Sequence, residues 1–71
     1  MSWAHIRADR LIAAMPQYET ADIAVQALVE AGYRPIPGHG VSAALARRYG
    51  VSRQRIGQLF AARLQQRRKA P

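Results

Sequence analysis

The chain has no cysteine, which excludes a disulfide framework or a thiolate metal centre as support for its core. Its 71 residues hold one domain at most. A chain this short buries only about 60 % of the surface its unfolded form exposes, so pairing of two copies is an expected way to bury more. No apolar run approaches the roughly 18 residues of a membrane span, and the opening MSWAHIRADR lacks the apolar centre of a signal peptide. The expectation is a cytosolic protein with no membrane partner. β-branched residues are few and scattered while Ala, Leu, Arg and Gln abound, which points to an all-α chain.

Acid is missing from the whole second half. Residues 1–41 carry Arg7, Arg10 and Arg34 against Asp9, Glu19, Asp22 and Glu30, a net of −1. From Ser42 onward Arg47, Arg48, Arg53, Arg55, Arg63, Arg67, Arg68 and Lys69 stand with no acid, a net of +8, and the two halves sum to the overall +7. A one-signed block attracts a polyanion, and nucleic acid is the commonest in a cytosol. The same distribution argues against an enzyme. The acids lie in one half, and neither His5 nor His39 is spaced from a carboxylate as a metal site or catalytic pair requires. No cofactor and no metal are expected. Trp3, Tyr18 and Tyr33 are not interleaved with the basic residues, so they read as packing residues rather than a stacking platform.

Four helices are legible. Ile6, Leu11, Ile12 and Met15 recur at helical spacings from about Trp3 to Met15, and Pro16 cannot continue that helix. Thr20 caps a second, with Ile23, Ala24, Ala27, Leu28 and Ala31 as its stripe before Gly32. YRPIPGHG, residues 33–40, is a connector: Gly38 and Gly40 flank His39, but no Lys-Ser or Lys-Thr follows to complete a phosphate loop. Ser42 is the expected cap of a short helix ending at Tyr49, and Gly50 supplies a left-handed residue. Ser52 caps a long helix from Arg53 to about Arg67, whose inward stripe is Ile56, Leu59, Phe60 and Leu64.

Two helices joined by a glycine-containing turn of about three or four residues are a helix-turn-helix, and residues 42–61 fit that spacing. Ala46 is small where the second helix crosses the first, and Val51, Ile56 and Leu59 pin the second helix. ARRYGVSRQRIGQLFA resembles the helix-turn-helix of phage repressors of the lambda repressor and Cro group, including the run at Gly57, Leu59 and Phe60. GVSRQRIGQLFAARL is also similar to the promoter-reading end of bacterial sigma factors, without the acids common there. The likeness covers about 20 residues of 71 and says nothing of residues 1–41.

Removing the buried stripe leaves Arg53, Gln54, Gly57, Gln58 and Ala61 outward. An arginine can hydrogen-bond both O6 and N7 of guanine, and a glutamine both N6 and N7 of adenine. Arg53 and Gln54 lie in the first turn, the part matching the base-contacting positions of the repressor family. Gln58 is one turn further on. Gly57 costs a helix roughly 1 kcal/mol against alanine; close approach of a groove wall or close packing on the first helix would explain it. Ser42, Ser52, Arg47, Arg48, Arg55 and Arg63 are expected on phosphates, and Arg67, Arg68 and Lys69 form a basic tail.

The expectation is a sequence-specific regulator of double-stranded DNA, a phage, plasmid or bacterial repressor acting as a homodimer on a palindrome and associated with the nucleoid. The competing class is a protein-binding adaptor or inhibitor on the same scaffold, taking a protein partner through its N-terminal helices. An exposed apolar patch on those helices would favour the second class.

Overall fold

A computed structural model of the protein describes residues 6–36 and 38–69, with side chains through residue 66. It is a bundle of α1 (Ala8–Ala14), α2 (Ala21–Glu30), α3 (Val41–Tyr49) and α4 (Arg53–Lys69), with no strand among the described residues. α2 packs on α4, α3 on α4, and α1 on α3.

Sequence chemistry sets most helix ends. The Thr20 hydroxyl accepts from the Ile23 N–H at 3.3 Å, the expected cap. At the other end of α2, Gly32 takes φ 95° while its N–H reaches the Val29 carbonyl and that of Tyr33 the Leu28 carbonyl. This Schellman pattern turns the chain back on itself, and Tyr33 and Leu28 close it as a buried apolar contact. Gly50 adopts φ 68° after α3, with the N–H groups of Gly50 and Val51 both aimed at the Ala46 carbonyl. Ser52 Oγ then accepts from the Arg55 N–H at 3.0 Å and starts α4.

Two boundaries differ from the sequence reading. The first helix begins at Ala8, because Arg7 is extended and the carbonyl of Ile6 is taken by the His39 ring; the expected start at Trp3 lies outside the described residues. It ends at Ala14, since Pro16 holds Met15 extended. α3 is capped by Gly40, at φ 89°, rather than by Ser42. Val41 is 2 % exposed and pairs with Leu45 one turn on, so burying it draws the helix start forward and places Ser42 inside the first turn.

The core gathers Val25, Leu28, Tyr33, Leu45, Ile56 and Phe60 at the meeting of α2, α3 and α4. Tyr33 and Phe60 stand 5.9 Å apart, ring centre to ring centre. The Tyr33 hydroxyl bonds His39 Nδ1 at 3.1 Å, so the connector is tied both to the core and to the segment before α1. Burial pushes the Tyr33 hydroxyl above its ordinary value of 10.0, with a backbone hydrogen bond from Ile36 acting the other way.

Candidate nucleic-acid interface

α4 divides by face. Ile56, Leu59 and Phe60 are buried while Arg53, Gln54, Arg55, Gly57, Gln58 and Ala61 are exposed. The division follows the helix repeat: a stripe of aliphatic and aromatic residues at i, i+3 and i+4 must leave the intervening positions in water. Ser52 fixes the first turn, so Arg53 and Gln54 project from a defined helix start rather than from a fraying end.

Packing of α3 against α4 adds neighbours that are distant in sequence. Arg53 lines one groove with Gly40, Val41, Ser42 and Ala43, and a second with Ala46, Arg47, Gly50 and Val51. The Ser42 hydroxyl, the first turn of α3, Arg47 and Arg53 therefore share one side of the molecule. None of Arg47, Arg53 and Arg55 has a side-chain ion-pair or hydrogen-bond partner among the described residues. Their charges face solvent unneutralised, the condition for attracting a polyanion at range.

Arg48 and Arg63 do not belong to this set. The Arg48 guanidinium donates to the carbonyl of Ile12, which also accepts from the Met15 N–H, and to that of Met15 at 3.1 Å, closing the C-terminal end of α1. Tyr49, its neighbour, accepts from the Tyr18 N–H at 3.1 Å, so the last turn of α3 clasps the chain on both sides of Pro16. Arg63 lays Nε and Nη2 on one Asp22 carboxylate oxygen, at 3.1 and 2.9 Å, joining α4 to the first turn of α2. Arg48 and Arg63, both expected on phosphates, thus also make contacts within the fold. Nothing in the local sequence marks them, since their partners lie 33 to 41 residues away.

Gly57 is also clarified. A methyl group built on it would meet nothing within 4 Å, so close packing on a neighbouring helix does not account for it. Ser52 Oγ is occupied as an acceptor, leaving its hydroxyl proton to donate outward. The side chains of Arg67, Arg68 and Lys69 lie outside the described residues. Among the described residues no three of His, Asp and Glu gather as a metal site, and no helix is long and apolar enough to cross a membrane.

No protein-family model, no curated protein and no solved structure matches this chain.

Proposed function

We propose that the protein binds double-stranded DNA in a sequence-specific manner, with α3, the Gly50–Val51–Ser52 turn and α4 acting as a helix-turn-helix. The observation that carries this reading is the outward face of α4. Arg53, Gln54, Gly57 and Gln58 are exposed beside Arg47 and Arg55, cations with no partner among the described residues, on a half of the chain that holds no acid. In this reading the first half of α4 enters the major groove. Arg53 and Gln54 address base edges, Gln58 a base edge one turn further on, and Gly57 lets the groove wall approach. Arg47, Arg55, Ser42 and Ser52 meet phosphates and set affinity without sequence information. Such a protein acts as a repressor of a phage, plasmid or bacterial operon, held at the nucleoid by its target, and works as a pair of copies on a two-fold site because one reading helix covers few base pairs.

Selection of bound duplexes from a random pool at about 0.15 M salt tests the reading. An enriched palindrome is the expected result. Equal recovery of all sequences would reject specific reading, and no recovery at all would reject DNA as the partner.

A further inference from the structure

Among the described residues α1 packs on α3 alone of the helices, yet both of its ends are pinned. At the C-terminal end Arg48 holds the carbonyls of Ile12 and Met15. Ahead of the first turn the His39 ring donates through Nε2 to the Ile6 carbonyl, while its Nδ1 meets the hydroxyl of buried Tyr33 at 3.1 Å. A methyl group built on Gly40 would stand 3.7 Å from the Ala8 Cβ, so the starts of α1 and α3 lie side by side. Arg7, between Ile6 and Ala8, therefore leaves a backbone that is held against α3 and, through His39, tied to the core.

That placement puts it beside the candidate interface. Ala43 of α3 lines three adjoining grooves: one also holds Arg7, Asp9 and Arg47, the next Arg47 and Arg53, the third Ser42 and Arg53. Three cations from three separate parts of the chain thus gather around one small residue, and Asp9 is the one acid lining these grooves. Asp9 does not cancel Arg7. Their closest approach is Nε to Oδ1 at 3.3 Å, with side chains 79 % and 63 % exposed, and an ion pair so open to water is weak. The Arg7 guanidinium makes no hydrogen bond to any described residue, so its donors are free for the oxygens of a phosphate.

We propose that Arg7 is a further phosphate contact: the DNA backbone that meets Ser42 and Arg47 continues past Ala43 to the start of α1. The inference rests on the DNA reading above and extends its interface into the half of the chain whose net charge is −1. On binding, the guanidinium turns its donors from Asp9 to a phosphate oxygen. Asp9, left facing the same groove, opposes the polyanion and limits affinity.

Binding of the full chain to a mixed-sequence DNA duplex, followed from about 0.05 to about 0.2 M salt, tests it. Arg7→Ala shallows the slope of log Kobs against log salt by about 0.9 for each copy bound, and Arg7→Lys keeps the slope. Asp9→Asn tightens binding several-fold at the low-salt end. Arg10, also exposed on α1, lines none of the three grooves, so Arg10→Ala changes the slope by less than half as much. The Arg7 side chain makes no cap bond to α1, so the helical circular dichroism of Arg7→Ala matches that of the wild type. A role confined to the ion pair would move stability in both variants and binding in neither, whereas the phosphate role moves binding in opposite directions. A slope indifferent to Arg7→Ala, an equal loss in Arg10→Ala, or weaker binding by Asp9→Asn overturns the proposal. Wild-type binding with an Arg7-independent slope removes this contact alone; no wild-type binding at any of these salt concentrations removes the DNA reading and the contact with it.

Discussion

Arg48 donates to two carbonyls of the α1 end, while Arg47, next to it in the chain, stands exposed with no partner among the described residues. Their substitutions should therefore separate. Arg48→Ala is predicted to lower folding stability by about 1.5–3 kcal/mol, the range for a hydrogen bond to a charged group, read by urea unfolding. Arg47→Ala should leave the unfolding midpoint unchanged and weaken binding to preferred and random duplexes alike; a selective loss on the preferred duplex would move Arg47 among the base-reading residues. Arg53→Ala should instead cost about 1–3 kcal/mol on the preferred duplex and little on random DNA. At Gly57 a methyl group has open space, so Gly57→Ala should raise stability by about 0.8–1 kcal/mol from helix propensity. It should also weaken duplex binding if the groove wall occupies that space in the complex. A more stable protein with unchanged affinity would detach Gly57 from the interface.

At the scale of elements, the junction between α3 and α4 is set by the backbone. Gly50 holds φ 68° with nothing within 4 Å of where a Cβ would stand, so a substitution there strains the main chain without any clash of side chains. Gly50→Ala is expected to lower stability by about 1 kcal/mol and Gly50→Val by more, since β-branching makes positive φ still less accessible. Equal melting temperatures for wild type and Gly50→Val would mean that the junction relaxes to another turn. The caps at Thr20 and Ser52, the stop at Gly32 and the stripe of α4 were all legible in the sequence, because each depends on residues within about one helical turn. The cap of α3 was not: Ser42 is the better capping residue, but the buried side chain of Val41 outweighs that preference.

At the scale of the molecule, the longest dimension is 33 Å, close to the roughly 34 Å that separates successive major-groove faces. On the proposed DNA reading, one copy with a single outward helix would address one half-site, and a two-fold site would take a pair. Phosphate neutralisation predicts that log Kobs falls linearly with log salt, and Arg55→Ala should shallow that slope by about 0.9 for each copy bound; an unchanged slope would remove Arg55 from the phosphate set. The core has its own pH dependence. Tyr33 keeps its proton more firmly folded than unfolded, so the stability it contributes is complete below its ordinary value of 10.0 and is lost as pH rises through the higher folded value. Thermal melts from about pH 8 to about pH 11 should show this alkaline loss, and Tyr33→Phe should flatten it. An equally steep loss in Tyr33→Phe would assign the effect to other groups.

By itself the sequence determined the all-α class, the two glycine stops, the caps at Thr20 and Ser52 and the division of α4 into a buried and an outward face. Periodicity, capping and φ preference are local properties, carried by residues a few positions apart. Only the tertiary structure decided which of the arginines take partners inside the fold. Arg47, Arg48, Arg55 and Arg63 look alike along the chain, yet packing of α3 on α1 joins Arg48 to carbonyls 33 and 36 residues away, and packing of α4 on α2 joins Arg63 to Asp22. The same packing brings Ser42 and Arg47 beside Arg53. A charge is known from its residue type, but its partner is fixed by distance in space, and that is set only when the helices close on one another.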